Sequence, residues 1–306
     1  MPKRGASGLS LLLGVDKPVG MSSHAVVNRV RSATGEMRVG HFGTLDPLAS
    51  GVMLVGVGPA VRLGNYLVEH DKEYVADVIF GEERNTDDAE GEAVLSAPVP
   101  EEVADVAFAE GVLSRFTGAL EQIPPAFSAI KQGGVTAYKA ARSGETLDLP
   151  ARNVEVYEAE LLAVSTNCWR VRFRVSKGTY IRALARDIGR AMGCGAYLGG
   201  LRREQLGTVS VAGCMELDEL AAQASLRTLN PVEVLGFQHL EILEAERKTL
   251  ENGGTLAIPA PLALRVSAGN LISILCDNRL KAIYRVEEGV ARLKCECLFS
   301  IGVDCG

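Results

Sequence analysis

The sequence predicts an α+β protein in two parts: a mixed sheet flanked by helices, then a small β-rich domain. Three observations carry that prediction. Residues 74–80 alternate, with Tyr74, Ala76, Val78 and Phe80 on one side, the period of a half-buried strand. Two other segments place apolar residues at helical spacing: Val26, Val27 and Val30, and later Ile181, Leu184, Ile188 and Met192. Near Asn230-Pro231 the texture changes to closely spaced strand runs, LISILC, KAIYRV and ARLKCEC, which divides the chain into 1–230 and 231–306. A chain of 306 residues is long enough to bury one large core and one small one.

Taken in order, residues 11–15 read as a first strand and DKPVG as the turn after it. Ser22 or Ser23 caps the helix carrying Val26 to Val30, and Gly35 ends it. The loop that follows runs into an apolar strand at 52–57, and Pro59 opens a short helix through Leu67. After the Tyr74 strand, ERNTDDAEGE reads as a polar loop. Residues 101–116 read as one amphipathic helix, with Val103, Val106, Leu113 and Phe116 inward and Gly118 closing it. The stretch 132–150 has a broken, glycine-containing pattern with Tyr138 and Arg142 exposed. Strands at 154–161 and 169–175 then precede a helix at 179–192.

Composition narrows the class. With 47% hydrophobic and 23% charged residues the chain reads as an ordinary soluble protein, expected in the cytoplasm. SLLLGV after Lys3 and Arg4 is too short for a signal peptide and stops at Asp16-Lys17, so it reads as a strand; no run is long enough to span a membrane. Seven cysteines are scattered, four of them near the C-terminus, with no C-x-x-C pair, so no metal is expected. The net charge of −6 argues against nucleic acid, but its distribution is uneven. Residues 68–111 are strongly acidic. Arg170, Arg172, Arg174, Lys177, Arg182, Arg186 and Arg190 oppose only Asp187 and read as a local basic patch, which leaves RNA binding open.

Special residues concentrate in GHFGTLDPLASGVM, residues 40–53. Asp46 before Pro47 would, alone, be a helix or turn cap. In the company of His41, Gly43, Leu45 and Gly51, at a loop mouth that feeds a buried strand, it becomes a candidate functional carboxylate. This block resembles the catalytic loop of the TruB family, the bacterial tRNA pseudouridine-55 synthases. VDKPVGMSSH, KEY, PPAFSAIK, SKGTYIRALARDIG and LRR follow in the family's order over roughly the first 210 residues.

The resemblance implies a pseudouridine-synthase-like sheet, a PUA-like C-terminal domain, and a 132–150 insertion that grips the T-arm of tRNA. It implies an isomerase that converts uridine 55 of the T-loop to pseudouridine without a cofactor, acting on tRNA as a monomer. Asp46 takes the catalytic role, whether by attack at C1′, attack at uracil C6, or a glycal route. Arg182 is the cation beside it, where a buried carboxylate needs one to stay ionised. Tyr180 and Leu201 match positions that contact the target nucleotide. Asp88 matches an acidic position whose use is binding, while Asn85 stands where Asp is common. Tyr74 suits the flipped uracil, with a stacking face and a hydroxyl, or is an ordinary strand aromatic. His41 wedges into the space the base leaves, or hydrogen-bonds the loop. Lys17 supports the pocket or is a solvated turn lysine. The rival readings are a guide-RNA-dependent synthase of the archaeal and eukaryotic branch, which lacks the insertion, and an RNA-binding module that helps tRNA fold.

Overall fold

The computed structural model describes residues 7–145, 147–221, 226–289 and 292–306. Thr146 of the insertion and Ala291 of the last strand run lie outside the described residues, as do Lys3 and Arg4. Strands β1 (Leu11–Lys17), β2 (Val39–His41), β3 (Ala49–Val57), β4 (Lys72–Phe80), the hairpin β5 (Glu82–Arg84) and β6 (Ala93–Ser96), and β7 (Gly118–Gln122) occupy the first part. A two-residue hairpin, β8 (Lys131–Gln132) and β9 (Val135–Thr136), begins the insertion. Then come β10 (Arg152–Val164), β11 (Cys168–Val175), β12 (Ala196–Leu206), β13 (Val209–Ser210) and β14 (Met215–Glu216). The β-rich C-terminal part holds β15 (Gln238–Glu241), β16 (Leu256–Ala257), β17 (Leu271–Cys276), β18 (Arg279–Val286) and β19 (Arg292–Asp304).

The main sheet runs β14-β1-β3-β12-β4-β11-β10-β7 and is mixed: β3–β12 and β1–β14 are parallel, the other neighbours antiparallel. The α-helices up to residue 191 are α1 (Ser23–Thr34), α2 (Gly64–Leu67), α3 (Val106–Ser114), α4 (Ala137–Arg142) and α5 (Ile181–Ala191); α1 and α5 cover one face because each presents an apolar stripe. Helix α1 (Ser23–Thr34) buries Val26, Val27 and Val30 against Leu13, Val15, Met53 and Val55. Ser22 caps it by accepting from the Ala25 amide, and Gly35 ends it in the left-handed region. Further along, Ile181, Leu184 and Ile188 of α5 (Ile181–Ala191) pack on Tyr74, Val78, Phe173 and Val175. The opposite face divides. Near β1 and β3 it is apolar and shared with the C-terminal sheet, where Leu12, Leu54, Leu63 and Leu67 meet Leu280, Ile283, Phe299 and Val303. Around β4, β10 and β11 it is polar and exposed.

Two expectations are corrected. Residues 101–116 are not one helix: a 3-10 turn at Glu101–Ala104 stops at Asp105, and an α-helix restarts at Val106–Ser114. Asp105 is extended and its carboxylate accepts from the Phe108 amide at 2.7 Å, a cap inside what reads as a single stripe, so Val106 faces outward. The acidic loop is polar as expected, and within it Asp87 and Asp88 are buried. The basic patch is not free. Arg170 pairs with Asp77, Arg172 with Glu73, Lys177 with Glu69, Arg182 with Asp88, Arg186 with Asp87 and Arg190 with Glu83. The acidic and basic runs neutralise one another because β4 and β11 are antiparallel neighbours and α5 lies against the hairpin loop.

Candidate active site

Asp46 sits in a turn closed by the Ala49 amide, which donates to the Asp46 carbonyl at 3.0 Å; β3 follows at once, so Asp46 caps no helix. Three anchors hold the corner from neighbouring segments. The Ser23 hydroxyl donates to the Leu45 carbonyl and accepts from the Leu45 amide, both at 2.8 Å. The Gly20 amide donates to the Pro47 carbonyl at 2.7 Å. Beneath them the Arg203 guanidinium, almost fully buried, donates to the carbonyls of Val52, Thr44 and Gly43. Two glycines permit this. Gly51, at φ +105°, lies so close to the Arg203 backbone that any Cβ would overlap it, and Gly43, at φ +132°, faces the Arg203 head.

The carboxylate is 43% exposed, and Arg182 Nε lies 2.9 Å from it. Arg182 itself is only 7% exposed and fully engaged. Nη1 donates to the Thr86 carbonyl at 2.9 Å and lies 3.5 Å from Asp88, while Nη2 donates to the Phe127 carbonyl at 3.1 Å. Three groups from two segments therefore aim one planar fork at Asp46. Arg182 is thus buried, not a surface helix arginine. Asp46 is half-exposed in the free protein, so the expectation of a buried carboxylate waits on whatever covers it.

Tyr74 is buried on β4 among Leu45, Ala49 and Ile181, with Arg203 6.0 Å from its ring centre. Leu201 on β12 pairs with both Ala49 and Ala76, on the same side. Tyr180 immediately precedes α5; its amide donates to Gln122 at 2.8 Å and its carbonyl accepts from the same side chain at 3.1 Å. Lys17 is buried, not a solvated turn lysine, and donates to the carbonyls of Pro18 and Met21. Burial lowers its pKa to about 8 against the opposing pull of Asp46 and Glu90. Asp88 accepts from the Thr86 hydroxyl at 2.6 Å and the Glu90 amide at 3.1 Å. The side chain of Asn85, in the position often filled by Asp, accepts from the Glu92 amide at 3.0 Å, and its backbone amide donates to the Glu92 carbonyl at 3.0 Å.

His41 stands apart. It ends β2, opposite Val55, and its Nδ1 is buried without a hydrogen-bond partner. Burial lowers its pKa, and Arg203 and His24 push the same way, so the ring is biased to its neutral form. Among the described residues no cluster of His, Cys, Asp or Glu could hold a metal ion, and no helix is long and apolar enough to cross a membrane. Sequence reasoning missed Ser23 as a loop anchor, and Arg203 and Arg186 as buried hubs. Arg203 alternates with Leu201 on the inner side of a strand. An inward arginine at such a position is the one signal that marks it.

Known proteins are similar to this chain in sequence and in fold. A family model described as the TruB family pseudouridylate synthase N-terminal domain matches residues 31–181, and one for the tRNA pseudouridylate synthase B C-terminal domain matches 182–235. The chain is 35% identical over 293 residues to a tRNA pseudouridine synthase B of Francisella philomiragia, covering 94% of each. It is 37% identical over 299 residues to the protein of that name from Azoarcus sp., covering 96% of each. It is 39% identical to the one from Thermobifida fusca, covering 87% of this chain and 93% of that protein. An archaeal box H/ACA sRNP Nop10–Cbf5 complex holds a chain of the same fold, with a TM-score of 0.68 at 22% identity, covering 98% of this chain and 88% of that one.

Proposed function

The chain belongs to the TruB family of pseudouridylate synthases, and on that premise we propose that it isomerises uridine 55 in the T-loop of tRNA to pseudouridine, with Asp46 as catalytic carboxylate. The observation that carries the reading is the Asp46–Arg182 pair: a half-exposed carboxylate held by a buried, fully bonded guanidinium. The reaction breaks the bond from uracil N1 to ribose C1′, turns the base and rejoins it through C5. Nothing is oxidised, so no cofactor is needed. Attack at C1′, attack at C6 and the glycal route make one common demand, an ionised carboxylate held in place.

Roles follow from position. RNA seated over Asp46 excludes water, which strengthens its attraction to Arg182 at the moment of reaction. Tyr74, Tyr180 and Leu201 form the wall for a flipped uracil, and His41 lines the entry from β2. Lys17 and Asp88 bind through the pocket's frame, Lys17 by holding the turn that carries Gly20 and Asp88 by holding Arg182. The insertion grips the T-arm. Lys131, Lys139 and Arg142 are exposed there and make no ion pair among the described residues, and Arg142 lies 5.7 Å from the half-exposed Tyr138 ring. Residues 231–306 act as a PUA-like second RNA contact. The protein works in the cytoplasm as a monomer on tRNA alone.

The test is to map pseudouridine in unmodified tRNA after incubation with wild type and with Asp46→Asn. Wild type should modify position 55, and Asp46→Asn should lose at least about a thousand-fold in rate while tRNA affinity stays within a few-fold. Modification elsewhere but not at 55 overturns the site, and wild-type turnover by Asp46→Asn overturns the carboxylate.

A further inference from the structure

Arg182 is one of two arginines that α5 presents on the same side, one turn apart. Arg186 is equally buried, and its guanidinium repeats the pattern of Arg182 on the same two segments. Nη1 pairs with Asp87 at 3.0 Å where Arg182 Nη1 takes Thr86 and Asp88; Nη2 donates to the Ile123 carbonyl at 2.8 Å where Arg182 Nη2 takes Phe127. The two differ at Nε, which reaches Asp46 in Arg182 and Asp187 in Arg186. One arginine meets Asp46 and the other braces the segments that hold the first.

The backbone shows what the brace does. Asp87 has φ +63°, a left-handed conformation that is costly without glycine. That turn sends Asp87 to Arg186 and the next residue, Asp88, to Arg182. Strand β12 fixes the same turn, since the Leu198 amide donates to the Asp87 carbonyl and the Ala89 amide to the Leu198 carbonyl, each at 3.0 Å. Thr86 and Phe127, the two carbonyls that aim Arg182, thus lie on segments clamped by Arg186 one and four residues away.

We propose that Arg186, through its pair with Asp87, is a positioning residue for the reaction: it holds the two segments from which Arg182 is aimed at Asp46. This rests on reading Asp46 and Arg182 as the reacting site. A pH signature accompanies it. Burial pushes Asp87 up to about 6, against the pull of Arg186, Arg182 and Arg190 and with the push of Asp187. Strand β12 and the 123–127 segment meet the pair with backbone groups, the Leu198 amide and the Ile123 carbonyl, and Asp88 is occupied by Thr86 and Arg182. Above that pH Asp87 is ionised and grips Arg186. As pH falls through it the carboxylate takes a proton, the pair loosens, and Arg182 loses its aim.

The experiment compares full-length wild type, Arg186→Met, Arg186→Lys and Asp87→Asn. It measures single-turnover pseudouridine formation at saturating tRNA from pH 5 to 8, tRNA affinity, thermal stability, and the exchange rate of the Arg182 Nε–H by NMR without RNA. That resonance is assigned from its loss in Arg182→Met. The expected result is a rate fall of ten-fold or more in Arg186→Met, less in Arg186→Lys, with affinity within three-fold. Asp87→Asn should be slow and should lack the wild-type acid limb centred near pH 6. Faster Nε–H exchange should accompany each loss. Should Arg186→Met not fold, Arg186→Lys and Asp87→Asn decide. Folded variants with wild-type rate, unaltered pH profile and unaltered exchange overturn the proposal, as does a loss of stability alone. If wild type leaves position 55 unmodified, the proposed reaction fails instead, and the exchange rate, which needs no substrate, still decides the clamp.

Discussion

Arg170, Arg172 and Arg174 of β11 and Arg182, Arg186 and Arg190 of α5 are one basic stretch in sequence and two different things in space. On the strand, alternate residues share one exposed face and meet Asp77, Glu73, Glu160, Glu204 and Glu158 across it. On the helix, a spacing of four turns Arg182 and Arg186 inward, where each donates to carbonyls as well as to carboxylates. Both sets are neutralised. Only the buried set fixes the course of other segments, because a buried guanidinium leaves every partner orphaned when removed. Charge does not distinguish the two; burial and the number of carbonyl partners do.

The comparison is broken most severely at Arg182. Methionine fills much of the same volume and keeps the Ile181, Leu184 and Ile188 face packed. The carbonyls of Thr86 and Phe127 lose their donor, and Asp88 becomes a buried carboxylate without its cation. Breaking such a buried pair costs about 3–5 kcal/mol of stability; separately, loss of the cation that aims Asp46 should lower the single-turnover rate of folded Arg182→Met by roughly 10²–10³-fold. Affinity for tRNA should change little. A variant that loses affinity but reacts at the normal rate once bound would make Arg182 a phosphate contact and erase the distinction drawn here.

Intermediate effects belong to cations that make no ion pair among the described residues. Replacing Lys131, Lys139 and Arg142 together by alanine should weaken tRNA binding and flatten its dependence on salt. The slope of log affinity against log salt should fall by about two to three, since each of the three phosphate contacts contributes roughly 0.7–0.9 to it. Chemistry at saturating tRNA should be preserved. An unchanged slope would move the RNA grip off the insertion.

How much of this could be read in the sequence follows the same line. The strand at Tyr74, the caps at Ser22 and Gly35 and the stripe on α5 are local, set by the period and chemistry of a few adjacent residues. The site came from motif resemblance, which placed Asp46 and Arg182 in one pocket without showing the buried route between them. What failed is non-local. Asp87 and Asp88 look solvated until α5, almost a hundred residues later, supplies arginines; Arg170 looks free until β4 puts Asp77 opposite it. Charge runs report composition, and only the pairing register reports whether the charges are available. The break at Asp105 failed differently. A capping residue inside an amphipathic stripe was outvoted by periodicity, although Asp two places before Ala107 is itself a start signal.

The smallest effect sharpens the comparison from the other side. Arg170 is 55% exposed and makes a two-pronged bond to Asp77, at 2.7 and 3.1 Å. By geometry alone it is better paired than Arg182, whose contact with Asp88 is longer. Yet water can solvate both partners if the pair is broken, so Arg170→Ala should cost only about 0.2–1 kcal/mol. That corresponds to a melting temperature lower by no more than about 2 °C in a chain of this size. Raising salt should shrink the difference, because an exposed pair is screened whereas a buried one is not. The tRNA affinity should be unaltered, for the charge removed is already matched by Asp77 on the neighbouring strand. Thermal melts at low and high salt, with binding measured beside them, check all three expectations. A clear loss of tRNA binding in Arg170→Ala would mean that RNA competes with Asp77 for the guanidinium, and the exposed face of β11 would then be an RNA surface after all.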